Sequence, residues 1–391
     1  MTYVQAKRKL FIERIFIYPF VLLGKLIGWL FPLKTSHGVF LFFSSADIGG
    51  APKVNADIAN CIRDKKPLII FSKKPKNNEF SSLFDIDGVR VIDLHKLIDN
   101  KIYHFINVIY RGIIASWIHR QKTKPIVFGG ECIYFYKIIP HIKRHVKCVE
   151  LCHLDTWMPY SIGFIDEIDM RVFSTRTIKK KVEDQYREND LPGFYFNRLF
   201  FIDNYIDIPS YEPIDNDILQ VIFIGRGAPQ KRVHLIAAIA KQMHLSGDKA
   251  HFSFVGDVEN IVNPEEYPYC TFYGNIKSQE KLNSLYKLSD VLLLTSAYEG
   301  LPIVVMQMMA YGRVVVSTAT DGIPEYIKNN ENGLIITATK EEEIVQQGIF
   351  QLRKLIADKD MRHRLGRKSR QLAISLFSKE EFCKNYNEIL T

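Results

Sequence analysis

Residues 290–302, with the sequence DVLLLTSAYEGLP, decide the fold of the second half of this 391-residue chain. The run from Asp290 to Leu294 is short and apolar, as expected of a buried strand in a parallel sheet. Thr295 to Gly300 supplies the small and polar residues of a loop, and Pro302 suits the first turn of a helix, where its missing N–H costs nothing. A helix that begins here directs free main-chain N–H groups and the positive end of its dipole above the sheet. The stretch therefore predicts an anion site that a diphosphate would fit.

Short apolar runs of this kind recur along the whole chain and alternate with helical or loop sequence. The first series lies at residues 39–43, 67–71, 89–92, 125–128, 146–151, 170–173 and 199–202. The second series lies at residues 221–224, 252–255, 271–273, 291–294, 314–317 and 334–336. Alternation of this kind is typical of parallel sheets covered by helices on both faces. We therefore predict an α/β protein with two Rossmann-like domains joined near residues 205–217, followed by charged helices.

The composition is that of a globular protein with an excess of positive charge. Lys and Arg number 52 against 43 Asp and Glu, the formal net charge is +9, and 47% of the residues are hydrophobic. This balance suits an anionic partner, but it does not choose among nucleic acid, lipid head groups and phosphorylated substrates. The six cysteines show neither zinc-knuckle nor disulfide-framework spacing, so a reducing cytoplasm is the simplest setting. Cys148, Cys152 and His153 are close in sequence, but VKCVELCH is typical of a buried strand rather than of a metal site.

A nearly apolar stretch follows several basic residues at the N-terminus. Residues 15–33, IFIYPFVLLGKLIGWLFPL, carry Lys25 in their middle. No small-residue cleavage site follows, so a cleaved signal peptide is not expected. The stretch is just long enough to span a membrane, but the positive-inside rule would then place the rest of the chain outside the cytoplasm. An amphipathic helix that lies in the plane of an anionic membrane surface avoids this conflict, because the rest of the chain stays in the cytoplasm. An apolar helix packed on the core is the alternative.

The stretch that begins at Glu299 resembles the glutamate-x7-glutamate signature of retaining glycosyltransferases with the GT-B fold, of the group 1 or family 4 type. The motif continues through Gly300, Leu301 and Pro302. Gln307 stands where the family has its second acid, which usually binds the ribose hydroxyls. Glutamine keeps one acceptor and gains two donors, so ribose can still be held, with weaker charge-assisted bonding.

A glycine-rich loop after the first strand of the second domain adds two cations. Residues 224–232 read IGRGAPQKR. A dinucleotide-binding fingerprint is the rival interpretation, but the loop lacks the third glycine that this fingerprint requires. The loop resembles the family's glycine–arginine loop followed by a lysine, which implies that Arg226 and Lys231 grip the two donor phosphates. Fixed cations at this place stabilise the charge that grows on the leaving nucleotide diphosphate. Arg232 is expected to be a solvated neighbour.

Further site residues come from the same resemblance. Gly49 and Gly50 resemble the family's first-domain glycine pair, whose backbone approaches the donor phosphates or sugar. His153 ends a predicted strand, at the sheet edge where open α/β proteins bind ligands, and a histidine near this place in the family touches the donor sugar. Gly256 and Ile276 belong to turns that resemble those lining the nucleotide pocket.

Together these features predict a retaining glycosyltransferase that moves a sugar from a nucleotide-diphosphate sugar, most simply a UDP-sugar, to a hydroxyl of a lipid-linked or cell-envelope glycan. The resemblance implies no bound metal and no separate cofactor: the donor phosphate accepts the acceptor's proton while Glu299 and His153 position the sugar. Asp155 is a weaker candidate for acceptor binding. The expected domains are a membrane-associating segment at 1–35, an acceptor-side domain at 36–205, a nucleotide-sugar domain at 206–375 and a helix at 376–391 that returns to the first domain.

Three other classes remain open at this point. A non-catalytic GT-B relative that binds a nucleotide sugar or a partner protein is suggested by Gln307. An epimerase on the same fold would need acid and base residues placed at a sugar carbon. A nucleic-acid-binding protein would suit the basic charge, but the chain shows no recognition-helix or RNA-binding motif. We expect a protein in the cytoplasm, held peripherally at the inner face of the cell membrane.

Overall fold

The computed structural model describes residues 2–100, 104–154, 156 and 158–391, and Asp155 lies outside them. The chain divides into two compact units. The first comprises Met1–Ile202 and Glu380–Thr391, and the second comprises Asp203–Lys379. Each unit is built on one parallel sheet with helices packed against it.

Every apolar run predicted from the sequence forms a strand in the structure. The strands are β1 Val39–Phe43, β2 Leu68–Phe71, β3 Arg90–Asp93, β4 Ile126–Gly130, β5 Cys148–Cys152, β6 Met170–Phe173, β7 Leu199–Phe201, β8 Leu219–Ile224, β9 Ala250–Val255, β10 Thr271–Phe272, β11 Val291–Leu294, β12 Val314–Thr318 and β13 Leu334–Ile336. The helices are α1 Tyr3–Leu30, α2 Gly50–Cys61, α3 His95–Ile98, α4 His104–His119, α5 Ile133–Ile138, α6 Met158–Ser161, α7 Arg176–Glu188, α8 Val233–Leu245, α9 Gln279–Leu288, α10 Ile303–Ala310, α11 Ile323–Tyr326, α12 Glu341–Ala357, α13 Lys359–Leu376 and α14 Lys379–Ile389.

Both sheets have the doubly wound order of Rossmann-like domains. The first unit has the order β3-β2-β1-β4-β5-β6-β7 and the second β10-β9-β8-β11-β12-β13. Strands β1, β2, β4 and β11 are buried along their whole length, which is why they appear as continuous apolar runs rather than alternating ones. The order reverses between β1 and β4 in the first sheet and between β8 and β11 in the second. Ligands of such sheets bind beyond the carboxyl ends of the strands at these reversals.

Helix α1 packs against α4 at nearly backbone contact. A Cβ atom on Gly24 would stand 1.9 Å from the carbonyl oxygen of Ile109, and one on Gly112 would stand 2.1 Å from that of Val21. Gly28 continues the same contact one turn along the helix. Small residues spaced in this way let two helices approach closely, so one face of α1 is fixed against the protein.

The opposite side of α1 is apolar and exposed. The large hydrophobic side chains exposed on this helix and at its end are Val4, Phe11, Ile12, Ile15, Phe16, Tyr18, Phe20, Leu22, Leu23, Leu26, Trp29, Leu30 and Phe31. Among the described residues, none of the helices combines the length and the apolar character that a transmembrane span requires.

The C-terminal helix α14 is tied to the end of α2. The Nδ2 atom of Asn387 donates to the carbonyl oxygen of Cys61 at 3.0 Å, and Lys65 Nζ donates to the carbonyl oxygens of Asn387 and Leu390, each at 2.8 Å. A disulfide joins Cys61 to Cys383, whose Cα atoms are 5.0 Å apart. No spacing in the sequence indicates this pair, because the two cysteines are 322 positions apart and only the fold brings them together.

Candidate functional site

Hydrogen bonds join the loops that follow β8 and β11, the two neighbouring strands at the sheet reversal of the second unit. Gln230 Nε2 donates to the carbonyl oxygen of Tyr298 at 2.9 Å. The main-chain N–H of Ala297 donates to the carbonyl oxygen of Gln230 at 2.8 Å. The two segments singled out in the sequence, IGRGAPQKR and TSAYEGLP, therefore lie side by side.

Arg232 holds the end of β11. Its guanidinium donates to the carbonyl oxygens of Thr295 at 2.7 Å and Ser296 at 2.8 Å, and Thr295 Oγ1 donates back to the carbonyl oxygen of Arg232 at 2.9 Å. The residue is partly buried, and burial lowers the pKa of its guanidinium. The expectation of a solvated Arg232 is therefore wrong, because this side chain donates to two main-chain carbonyl groups that follow β11.

An ion pair joins Lys231, which is predicted to bind the donor phosphates, to Glu299, which is predicted to position the sugar. Lys231 Nζ donates to Glu299 Oε1, and the two side chains are only 14% and 7% exposed. The main-chain N–H of Glu299 is in turn bonded to Asp321 Oδ2 at 3.0 Å. An ammonium group has three donors, so this contact leaves two for a phosphate, while the second carboxylate oxygen of Glu299 stays available to a sugar hydroxyl.

Arg226 is an exposed cation on a tightly built loop. Its side chain has no polar partner among the residues that the structure describes. The loop is fixed by the main-chain N–H of Gly227, which donates to Asp257 Oδ1 at 3.1 Å. Gly256 packs on the same loop with φ 121°, and a Cβ there would stand 1.8 Å from the carbonyl oxygen of Gly225. Only glycine fits at position 256, where two loops meet. The nucleotide-binding role of Gly256 stays a prediction.

The start of α10 offers unpaired N–H groups, as the sequence predicts. The helix begins at Ile303 after Pro302, which caps it with φ −63° and ψ 133°. The main-chain N–H groups of Gly300, Leu301, Ile303 and Val304 have no hydrogen-bond partner in the described part of the chain. These donors and the positive end of the helix dipole are the groups that an anion site requires, and they lie next to the Lys231–Glu299 pair. Phosphate binding here stays a prediction.

Gln307 and Ile276 are less constrained by their surroundings. Gln307 lies on α10, partly buried, and its amide makes no hydrogen bond within the described residues. Ile276 follows β10 and packs its side chain on the core of the second unit. No hydrogen bond joins either residue to the other predicted site residues among those described, so their nucleotide-binding roles stay predictions.

His153 directly follows β5 in the first unit. Its main-chain N–H donates to Glu131 Oε1 at 3.0 Å, and its Nε2 atom is buried without a hydrogen-bond partner among the described residues. Burial lowers the pKa of the imidazole to about 4, so the ring is neutral at physiological pH. A neutral imidazole can both donate and accept a hydrogen bond, which suits a sugar hydroxyl.

Gly49 and Gly50 form the start of α2, beyond the carboxyl end of β1. A Cβ on Gly49 would meet only Pro52 Cδ, at 3.6 Å, which is ordinary contact. Packing within the first unit therefore does not require glycine at position 49. The expected approach of a donor to this backbone stays a prediction.

Within the described residues, no group of three or more His, Cys, Asp or Glu side chains is placed to hold a metal ion. Cys148 and Cys152 lie at the two ends of β5 and are both buried. Burial raises the pKa of both thiols, so they stay protonated and pack as small apolar side chains.

Comparison with known proteins relates the second unit to a family. Residues 207–372 match the family model for glycosyl transferases group 1. This part of the chain, less than half of its length, is similar to the group 1 glycosyltransferases. It contains Arg226, Lys231, Glu299 and the start of α10.

Two relatives and one solved structure extend the comparison. The chain is 28% identical over 280 residues to the lipopolysaccharide core biosynthesis glycosyltransferase LpsE of Rhizobium meliloti, covering 69% of this chain and 77% of that protein. It is 28% identical over 137 residues to an uncharacterized glycosyltransferase of Methanocaldococcus jannaschii, a match that spans 34% of this chain and only 35% of that protein's length. The crystal structure of Anabaena HepE in complex with UDP-glucose superimposes with a TM-score of 0.69 and 15% identity, covering 90% of this chain and 98% of HepE. At this identity the likeness shows the fold alone, and it confirms the predicted GT-B fold.

Proposed function

We propose that the protein is a retaining, metal-independent hexosyltransferase that moves a sugar from a nucleotide-diphosphate sugar, most simply a UDP-sugar, to an acceptor hydroxyl. The observation that supports this most directly is the placement of the Lys231–Glu299 ion pair beside the unpaired N–H groups of α10. Arg226 adds a second cation without a protein partner on the adjoining loop. These groups have the chemistry that binds a diphosphate without a metal ion.

The same residues account for the reaction. The bond between the anomeric carbon and the donor phosphate oxygen breaks, and negative charge accumulates on the departing nucleotide diphosphate, where Arg226 and Lys231 stabilise it more than in the ground state. The acceptor oxygen forms the new bond on the same face of the sugar, and its proton passes to the donor phosphate. In this proposal Glu299 positions the sugar from the second unit, so no separate catalytic base is required. The contact of the neutral His153 with a sugar hydroxyl stays a prediction.

The acceptor is, in this proposal, a lipid-linked or cell-envelope glycan. The name of LpsE, a lipopolysaccharide core glycosyltransferase, supports this class of acceptor. HepE was crystallised with UDP-glucose, which supports a UDP-sugar as donor. A protein of this kind works in the cytoplasm, at the inner face of the cell membrane.

The membrane contact is the apolar side of α1. Phe16 is 76% exposed and Phe11 is 65% exposed, and they belong to a continuous run of exposed apolar side chains on α1. Contiguous exposed apolar surface of this kind is typical of a protein or membrane interaction site. Exposed cations accompany this side, among them Arg8, Lys9 and Arg120, whose guanidinium lies 5.8 Å from the ring centre of Trp29. Apolar side chains flanked by cations match an anionic lipid surface, with the helix lying in its plane.

The double variant Phe11→Ser and Phe16→Ser should bind vesicles of phosphatidylcholine mixed with phosphatidylglycerol at least roughly tenfold more weakly for each Phe removed, since each loses about 1.5–3 kcal/mol of apolar burial. Co-sedimentation with vesicles measures this. Leu245→Ser is the matched control, because Leu245 is also 76% exposed but lies on α8 of the second unit. Equal vesicle binding by the double variant, or a wild-type dimer that the double variant disrupts, would show that lipid does not cover this side.

A panel of nucleotide sugars with excess chelator tests the donor site. We expect at least one diphosphate sugar to raise the melting temperature, because a ligand that binds only the native state stabilises it by mass action, by about 2.7 kcal/mol at a hundred times its dissociation constant. Arg226→Ala should abolish this rise, and Arg367→Ala, which removes an exposed arginine of α13 in the same unit, should not. Equal stabilisation of Arg226→Ala and wild type would contradict the assigned phosphate grip, and a requirement for divalent metal would contradict metal independence.

A non-catalytic nucleotide-sugar-binding relative is the second candidate. Gln307 favours it, since its unpaired amide replaces the acid that usually holds the ribose. Transfer from any donor that stabilises the protein, lost in Lys231→Ala, would exclude this candidate.

A further inference from the structure

Glu131 occupies an unusual position directly after β4, at the sheet reversal of the first unit. Its main chain has φ 44°, in the left-handed region that residues with side chains rarely adopt. Ser44 Oγ, from the end of β1, donates to its carbonyl oxygen at 3.2 Å. The chain is therefore held in a sparsely populated conformation that turns the glutamate side chain toward the end of β5.

The carboxylate is used to fix the main chain that follows β5. A single oxygen, Glu131 Oε1, accepts the main-chain N–H groups of His153 at 3.0 Å and Leu154 at 2.7 Å. Burial raises the pKa of Glu131 to about 7, although these two bonds lower it, and the nearby Glu150 raises it further. Ionising the Glu131 carboxyl group therefore costs free energy at this buried position, and the group makes no ion pair within the described residues.

Two buried polar atoms at this edge of the sheet have no partner in the described structure. One is the Nε2 atom of His153, and the other is Oδ1 of Asn55, a residue of α2 that is only 5% exposed. Asn55 Oδ1 would stand 3.1 Å from a Cβ on Gly130, the last residue of β4. Buried polar atoms are nearly always satisfied, so these two atoms, which lack a partner among the described residues, point to a polar ligand at this edge.

We propose that Glu131 is a positioning residue, whose carboxylate holds the main chain of His153 and Leu154 so that the imidazole Nε2 meets a hydroxyl of the transferred sugar. The assignment of the sugar rests on the proposed function, whereas the contact between Glu131 and the main chain does not. Asn55 Oδ1 accepts a hydrogen bond from a second ligand hydroxyl at the same edge.

A pair of substitutions separates positioning from simple folding. Glu131→Gln keeps an acceptor oxygen for the two N–H groups and removes the charge, so kcat should remain within about threefold of wild type. Glu131→Ala removes the acceptor, so kcat should fall roughly a hundredfold while the Kd for UDP, which lacks the sugar and is bound by the second unit in the proposed function, changes little. The pKa of Glu131 lies above its ordinary value, so its stabilising contribution is present at low pH and lost as the pH rises through 7. Glu131→Gln should therefore melt higher than wild type at pH 8 and nearly equally at pH 5.

Histidine NMR provides a readout independent of turnover. In protein labelled at histidine, the resonance assigned to His153 by its loss in His153→Gln should stay neutral to about pH 5 in wild type and in Glu131→Gln. In Glu131→Ala it should titrate closer to the ordinary value of about 6.5, because the released loop exposes the ring. His141, in which burial lowers the pKa to about 3, is the internal control for an intact first unit.

The two failures are distinguishable. An unchanged His153 titration in Glu131→Ala with His141 still buried, or an undiminished kcat in that variant, overturns the positioning role and leaves the proposed function intact. If the wild type transfers no sugar from any donor, the proposed function fails and the sugar contact of His153 falls with it. The NMR titration then still decides whether Glu131 positions His153.

Discussion

Lys231→Ala should lower kcat/KM for the donor roughly a hundred- to a thousand-fold, the loss expected when one fixed donor to a developing negative charge is removed. Lys231 has a second task, which is to hold the nearly buried carboxylate of Glu299. Removing the ammonium leaves that carboxylate without its cation, so Glu299 also loses its orientation toward the sugar. Steady-state kinetics with the donor identified by thermal stabilisation measure the effect.

Two further variants test whether the loss of activity comes from removing the charge of Lys231. Lys231→Arg keeps the charge and should recover part of the activity, because a guanidinium can still pair with a carboxylate and a phosphate but needs more room. Lys241→Ala removes an exposed lysine of α8 and should behave as wild type. Activity of Lys231→Ala within tenfold of wild type, in a protein that melts normally, would remove Lys231 from the donor site.

Arg171→Leu should lower the free energy of unfolding by about 3–5 kcal/mol, which is a large part of the stability of a typical domain. Arg171 is 1% exposed and Glu150 is 0% exposed, and the guanidinium bonds the carboxylate across the neighbouring strands β5 and β6. It also donates to Ser161 Oγ at 2.7 Å and to Tyr186 OH at 2.9 Å. The substitution leaves a buried carboxylate beneath the end of β5, the strand that carries His153. Urea unfolding followed by circular dichroism measures the change.

The double variant Arg171→Leu and Glu150→Leu is the control for this interpretation. It removes both charges and should recover much of the lost stability, because replacing a whole buried pair with apolar groups is often nearly neutral. Arg353→Ala breaks the Arg353–Asp248 pair, in which Arg353 is half exposed, and should cost less than about 1 kcal/mol. A single Arg171→Leu variant as stable as Arg353→Ala would show that the Glu150 charge is relieved in some other way.

The fold could be predicted from the sequence because its strands are buried on both faces. Runs such as β1 and β11 contain only apolar residues and are separated by turn and helix signals, so their number, order and parallel arrangement are visible without a structure. The start of α10 was equally clear, since Gly300 and Pro302 mark a loop and a first helical turn. The family resemblance then supplied the GT-B fold, which the comparisons confirm.

The contacts within the site could not be predicted in the same way. Sequence patterns report which residues share a strand or a helix face, but the Lys231–Glu299 pair and the carbonyl bonds of Arg232 join loops that meet only in the folded sheet. Glu131 was overlooked because a single acid after a strand resembles any solvated loop residue. Its one sequence signal is its place after Gly129 and Gly130, at the carboxyl end of a buried strand.

A crystal structure of the protein with UDP, grown with chelator, would locate the donor diphosphate. We expect the diphosphate within hydrogen-bond distance of the Arg226 and Lys231 side chains and of the main-chain N–H groups at the start of α10. A nucleotide bound elsewhere, or a diphosphate that contacts neither cation, would contradict this expectation.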